Sequence, residues 1–107
     1  MRKDVYVVRA VVVSLPDAAN PASEFQARHE AIPNFVGQDG ELGMDTMVMP
    51  FPLADGLDLS AFQTGDKVEL TFEVDFDAAA QRLLGYRATA VKPLPAETEL
   101  DFTPLRR

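Results

Sequence analysis

Three methionines lie close together in the middle of the chain, and their side chains can bind a soft metal ion. Met44, Met47 and Met49 follow the spacing Met-x-x-Met-x-Met, and the only other methionine is Met1. Methionine is usually a flexible filler of hydrophobic cores, which is the simpler interpretation for any one of them. Thioether sulfur is a soft ligand that selects Cu(I) over hard cations, and Ag(I) has the same softness and charge.

Two of these methionines share a direction if their segment is a β-strand. The sequence predicts a strand over residues 46–53, in which residues two apart face the same side, about 7 Å from each other. Long thioether side chains span that gap, so the sulfurs of Met47 and Met49 can reach one ion. Met44 lies just before this strand and can supply a third sulfur.

The single histidine has a suitable chemistry and position to join them. Residues 24–32 alternate, so that Phe25, Ala27 and His29 share an apolar, inward face. Imidazole accepts copper, and because neither thioether nor neutral imidazole is charged, the set suits a monovalent ion better than a divalent one. A core histidine with a satisfied hydrogen bond is the alternative for His29 alone.

No catalytic constellation accompanies these residues. The chain has no cysteine, and it shows no phosphate-binding loop and no Ser-His-Asp signal. One histidine gives a bound copper too few nitrogen ligands for typical Cu(II) redox chemistry. We therefore expect a binding protein that stores, delivers or sequesters an ion, and not an enzyme.

Short antiparallel strands are expected to position the ligands. Residues 67–76 alternate most clearly, and the fifth strand is expected to point Leu84, Tyr86, Ala88 and Ala90 inward. Residues 33–43, with a tight turn at Gly40, are interpreted as a loop. The pattern predicts an all-β small barrel or sandwich with five strands at residues 5–15, 24–32, 46–53, 67–76 and 83–94.

Length and charge narrow the classes of protein further. A chain of 107 residues is expected to be a single domain, with residues 95–107 as a C-terminal extension. Its net charge of −7 disfavours a nucleic-acid binder and docking on anionic lipid. No apolar run approaches the length of a membrane span. The N-terminal residues resemble a strand and not a signal peptide, so we expect a cytosolic protein or a mature segment with an added Met1.

Three stretches together resemble one family. They are His-Glu-Ala-Ile-Pro at 29–33, Met-Asp-Thr-Met-Val-Met-Pro-Phe-Pro-Leu at 44–53 and Thr-Gly-Asp-Lys-Val at 64–68. The chain, from about residue 5 to residue 94, is similar to the CusF-like periplasmic copper- and silver-binding proteins, which are small five-stranded OB-like barrels. The resemblance implies that His29, Met47 and Met49 ligate Cu(I) or Ag(I). Relatives add a tryptophan that caps the ion; this chain has none, and Met44 stands in its expected place.

The resemblance also implies a role. A single Cu(I) or Ag(I) ion would be held by a metallochaperone or sequestering protein of copper and silver homeostasis, periplasmic or otherwise exported. Its partner would be a metal-efflux or copper-delivery protein of the cell envelope. Two alternatives stay open: an OB-like ligand- or protein-interaction domain without metal, and a regulatory domain of a larger exported copper-handling protein.

Overall fold

The computed structural model describes residues 1–105, and these form an all-β, antiparallel structure. The described residues contain seven strands and one three-residue 3₁₀ turn, η1 (Gln38–Gly40). None of the described helical segments is long and apolar enough to cross a membrane. The strands are β1 (Arg2–Ser14), β2 (Gln26–His29), β3 (Ile32–Val36), β4 (Leu42–Met44), β5 (Met47–Pro50), β6 (Lys67–Asp77) and β7 (Arg82–Pro93).

Five of these strands form one sheet in the order β5-β2-β1-β6-β7, which confirms the five predicted strands and their antiparallel pairing. The central strands are long because their side chains alternate with period two. On β6, Val68, Leu70, Phe72 and Val74 are buried, whereas the polar residues between them are only partly buried. The inward residues of β1 pack against them, so the sheet buries one face.

The expected loop at residues 33–43 is wrong, because that stretch contains the β3–β4 hairpin. The structure buries Ile32 and Phe35, and the ladder changes register between Ile32 and Val36. Apolar residues three apart do not look like an alternating strand, which explains why the sequence pattern hid it. The tight turn at Gly40 is confirmed, with Gly40 at φ 73° and Asp39 at φ 60°.

The β3–β4 hairpin is fixed to the sheet at two places. In its middle, the Val36 N–H donates to the Tyr6 hydroxyl at 3.0 Å, and the rings of Tyr6 and Phe35 have centroids 4.9 Å apart. At its tip, the Asp39 N–H donates to the Gln81 carbonyl at 2.8 Å. The hairpin therefore packs against the same core as the sheet.

Strand β7 departs from simple alternation. Its ladder with β6 changes register between Thr71 and Phe72 and again between Asp75 and Phe76. Each extra residue reverses the direction of the side chains that follow it. As a result Leu83 packs on the core while Leu84 is 43% exposed, so the inward position expected for Leu84 is wrong.

The two outer strands of the sheet approach each other without a continuous ladder. One parallel bridge joins Leu53 to Ala88, and the Ala88 N–H donates to the Pro52 carbonyl at 2.7 Å. The Tyr86 hydroxyl donates to the Pro50 carbonyl, also at 2.7 Å. No closed barrel is detected in the described residues, so closure stays a prediction.

Residues 95–105 contain no strand or helix, but they contact the rest of the molecule. Lys67 donates through Nζ to the carbonyl oxygens of Ala96 and Thr98, and the Asp101 N–H donates to the Glu30 carboxylate. The last two residues of the predicted extension, 106 and 107, lie outside the described residues.

Replacing Tyr6→Phe tests how the hairpin is attached. The substitution removes the hydroxyl that accepts the Val36 N–H, and loss of a hydrogen bond at this partly buried position costs about 0.5–1.5 kcal/mol of unfolding free energy. Hydrogen exchange should show faster exchange at the Val36 amide. Tyr86→Phe, which loses a hydroxyl bond to Pro50 away from the hairpin, is the matched control; equal acceleration at Val36 in both variants would contradict this attachment.

Candidate metal centre

The pairing of β2 with edge strand β5 brings the predicted ligands together. The ladder places His29 directly opposite Met47 and Ala27 directly opposite Met49. Directly opposite residues in an antiparallel pair face the same side, with Cβ atoms about 4.5–5.5 Å apart. His29, Met47 and Met49 therefore share one face, as the sequence predicted for the two methionines and separately for the histidine.

His29 is fully buried, and its two ring nitrogens differ. Nδ1 lies 2.7 Å from the Glu30 carbonyl oxygen, which can only accept, so Nδ1 carries the hydrogen. Nε2 is buried and has no hydrogen-bond partner within residues 1–105. A neutral imidazole in this tautomer presents the bare lone pair of Nε2, the form in which histidine binds a metal.

Burial also keeps this ring neutral. Desolvation lowers the pKa of His29 below its ordinary value, and it outweighs the Glu30 carbonyl and the nearby Asp45 carboxylate, which both raise it. The proton is therefore absent from Nε2 at neutral pH. The ring also meets Phe51 edge-on, with centroids 6.3 Å apart, so its orientation is limited by packing as well as by the Glu30 bond.

The two thioethers on β5 differ in exposure. Met47, opposite His29, is 43% exposed, whereas Met49 is partly buried and packs against the core. Ala27 is fully buried opposite Met49, and its small side chain leaves room for the longer one across the ladder. Pro50 ends β5 and is tolerated there because β5 is the outer strand of the sheet.

Met44 lies before β5, as the sequence predicted, and belongs to a second ladder. It ends β4, opposite the buried Ile32, and is partly buried against the core. The Ile32–Met44 pair lies three residues beyond the His29–Met47 pair along both strands. The hairpin thus continues the register of β2 and β5 after a short break.

Contacts at this break link the two ladders that carry the predicted ligands. The Thr46 hydroxyl donates to the His29 carbonyl at 2.7 Å, and the Thr46 N–H donates to the Asp45 carboxylate at 2.8 Å. Residues three apart in an unbroken strand face opposite sides. Because His29 and Ile32 are both buried, the chain must turn between them, and these bonds fix that turn.

Sequence reasoning missed Glu30 and its partner Arg9. The guanidinium of Arg9 donates to both carboxylate oxygens of Glu30, at 2.8 and 2.6 Å. Burial alone would raise the pKa of Glu30, but hydrogen bonds from Arg9 and from the Asp101 N–H lower it overall, so the carboxylate stays charged. Arg9 and Glu30 are far apart in sequence, and no pattern signals their contact; the one hint is that Glu30 adjoins His29.

The donor types fit a soft, monovalent ion. The face offers one neutral nitrogen without a partner and uncharged thioethers, and none of these needs to lose a proton to bind. A buried nitrogen without a partner destabilises a fold, and core packing alone does not explain its presence.

The described structure is thus a small antiparallel all-β domain with a buried imidazole across from a thioether at the sheet edge. Residues 8–81 match the family described as copper binding periplasmic protein CusF, and the chain belongs to this family. The match covers His29 and the three clustered methionines and ends before β7. It is a family of metal-binding proteins and not of enzymes. No curated protein and no solved structure matches the chain.

Replacing His29→Leu in metal-free protein separates a ligand from a core histidine. The change removes a buried nitrogen that has no partner, which favours the fold, and also the Nδ1–H bond to the Glu30 carbonyl, which costs about 1 kcal/mol, so we expect the free energy of unfolding in urea to change by less than about 1 kcal/mol. Phe25→Ala, at a similarly buried ring on the same side of the sheet, should cost about 3–5 kcal/mol. A loss of that size for His29→Leu would show that the ring is structural.

Proposed function

We propose that this protein binds a single Cu(I) or Ag(I) ion through His29, Met47 and Met49, with Met44 as a further ligand. The ion is cargo, which the protein sequesters or passes on as a metallochaperone in copper and silver homeostasis. The observation that carries the proposal is the buried Nε2 of His29, which lacks a partner and lies on the face of Met47 in a member of a copper-binding family.

Charge supports the choice of a monovalent ion. A neutral imidazole and thioethers leave the charge of the ion uncompensated, and a divalent ion loses more hydration energy than such ligands return. The Asp45 carboxylate interacts electrostatically with the His29 ring, and its negative charge would favour a cation there. The overall charge of −7 further favours the approach of a cation.

The difference in exposure between Met47 and His29 supports transfer of the ion to a partner protein. Met47 is the most exposed of the proposed ligands, whereas His29 is fully buried. An incoming ligand from a partner can therefore replace the Met47 sulfur first, while the buried ligands still hold the ion. Ligand exchange of this kind needs no change in redox state and no proton release from the thioethers.

Family membership supports the cellular setting. The family is periplasmic, so we propose that this protein acts in the cell envelope and exchanges metal with an efflux or copper-delivery protein there. We further propose that the five-stranded sheet forms an OB-like barrel, closed where residues 50–54 run beside β7. The Leu53–Ala88 bridge and the hydrogen bonds on either side of it support closure.

The double substitution Met47→Leu/Met49→Leu tests the ligand set. Leucine conserves volume and apolar character but has no sulfur, so the fold should persist while two ligands are lost. We expect anaerobic Ag(I) and Cu(I) affinity to fall by at least about 100-fold, since each lost ligand costs on the order of tenfold or more.

Val48→Thr is the matched control for this experiment. Val48 is exposed on β5 between the two methionines, and alternation points it away from them. The Val48→Thr variant should bind Ag(I) and Cu(I) with the same affinity as the unaltered protein. Unchanged affinity in the methionine double variant would refute the assignment, and binding of a peptide or an oligomer with no metal binding would favour an interaction domain.

Met44→Leu tests the fourth ligand. If the Met44 sulfur binds the ion, X-ray absorption of the Cu(I) form should count three sulfurs and one nitrogen in the unaltered protein and two sulfurs and one nitrogen in the variant. Affinity should fall by about tenfold, in the range seen when one group supporting a metal is lost. An unchanged sulfur count would remove Met44 from the ligand set without affecting the roles of Met47 and Met49.

A further inference from the structure

Residues 101–105, here called the strap, lie across the break between the two ladders that carry the ligands. The Asp101 N–H donates to Glu30 Oε2 at 2.8 Å, and the Leu105 N–H donates to Asp45 Oδ1 at 3.1 Å. Between these two bonds, the Arg28 guanidinium lies 4.2 Å from the centroid of the Phe102 ring. The strap is outside the residues that the family match covers.

The anchors of the strap are the neighbours of the proposed ligands. Glu30 follows His29, and Asp45 follows Met44. These two anchors also bracket the β3–β4 hairpin, since Glu30 lies just before it and Asp45 just after it. The strap therefore joins the chain that enters the hairpin to the chain that leaves it.

Core packing holds the body of the hairpin, and this junction adds a second constraint on where Met44 lies relative to the other proposed ligands. The β2–β5 ladder ends at the His29–Met47 pair, and the β3–β4 ladder starts at the Ile32–Met44 pair. No ladder pairs residues 30 and 31 with residues 45 and 46. Rotation of the backbone at this break would move Met44 while leaving His29 and Met47 in register.

The surface beneath the strap is shaped to receive it. Arg9 holds the Glu30 carboxylate with two hydrogen bonds, and Asp45 Oδ1 is also bonded to the Thr46 N–H, so both acceptors have fixed orientations. Gly43 has φ 101°, and a Cβ atom there would lie 3.2 Å from the Leu105 side chain. The absence of a side chain at Gly43 thus allows Leu105 to approach.

The strap is not part of the hydrophobic core. The buried core cluster of the described residues extends from Tyr6 to Ala88 and includes no strap residue. A groove of about 430 Å³ remains between the strap and the body, lined on the body side by Arg9, Glu30, Ala31 and Pro33. The strap is therefore attached at separate points and can be altered without removing core packing.

We propose that the strap is a positioning element that holds Met44 at the distance and orientation at which it completes the soft-metal site. The proposal rests on the proposed function for its role in binding, but the positioning itself concerns the metal-free protein. The strap residues do not touch the ion; they act through Glu30 and Asp45 on the backbone of the neighbouring ligands.

The test uses the full chain with Asp101→Pro/Phe102→Ala, which removes the N–H bonded to Glu30 and the ring beside Arg28. The rescue variant is Asp101→Asn/Phe102→Tyr, which keeps the N–H and an aromatic ring. The first measurement is ¹³C-methyl NMR of the methionines in metal-free protein. We expect the Met44 methyl signal to shift and its motion to increase in the first variant only, while the Met1 signal stays unchanged.

The second measurement is Ag(I) affinity, with and without Met44→Leu. Loss of the strap contacts should weaken binding by about tenfold when Met44 is present, as for other groups that orient a ligand. The effect should disappear in the Met44→Leu background, because there is no sulfur left to position. The rescue variant should bind as the unaltered protein does.

The outcomes separate the two proposals. An unchanged Met44 methyl signal, or an equal loss of affinity with and without Met44, overturns the strap proposal. Absence of Ag(I) binding by the unaltered protein overturns the proposed function, while the methyl spectra still decide whether the strap positions Met44. If the proline variant loses its β-sheet circular dichroism, Phe102→Ala alone, which keeps every backbone donor, is judged by the same criteria.

Discussion

The candidate site depends on the register between β2 and β5. A shift of one residue would turn every side chain of one strand to the other side of the sheet, and His29 would lie opposite Val48 or Thr46 in place of Met47. The core sets this register at the far end of the pair. Phe25 and Phe51 are both buried, the Phe51 N–H donates to the Phe25 carbonyl at 2.9 Å, and their ring centroids lie 6.1 Å apart. Aromatic packing therefore determines which residues meet at the other end, where the ligands lie.

The same aromatic packing allows the fold to tolerate the buried Nε2 of His29, which has no hydrogen-bond partner in the described residues. A buried nitrogen without a partner lowers stability by about 1–3 kcal/mol, and the metal-free protein has to bear that cost. The Glu30 carbonyl satisfies the other nitrogen and fixes the tautomer, and Arg9 holds the Glu30 side chain on the neighbouring strand. A histidine oriented in this way loses little further freedom when it binds an ion, so part of the cost of binding is already met in the folded chain.

Period-two alternation was enough to predict the sheet and the shared face of Met47 and Met49. It failed where extra residues interrupt a strand, two in β3 and one at each of two places in β7. The irregularity between Ile32 and Val36 made a strand look like a loop. In β7, the extra residue between Gly85 and Leu83 exchanged the positions of Leu83 and Leu84, and the one between Ala90 and Ala88 placed Val91 and not Ala90 on the core. Contacts between residues distant in sequence, such as Arg9 with Glu30, leave no periodic signal at all. The sequence therefore predicted which residues share a face, but not the junction that constrains the position of Met44.

That junction changes the meaning of the long segment between His29 and the methionines. On sequence alone, the segment separates one ligand from the others. In the structure it folds back on itself in the register of β2 and β5, so its length does not separate His29 from Met47. What the segment adds is a second ladder bearing Met44, joined to the first by Thr46 and by the strap. One register thus suits both parts of the proposed function: it buries the histidine, which would favour holding an ion, and it leaves Met47 exposed at the sheet edge, which would favour its release.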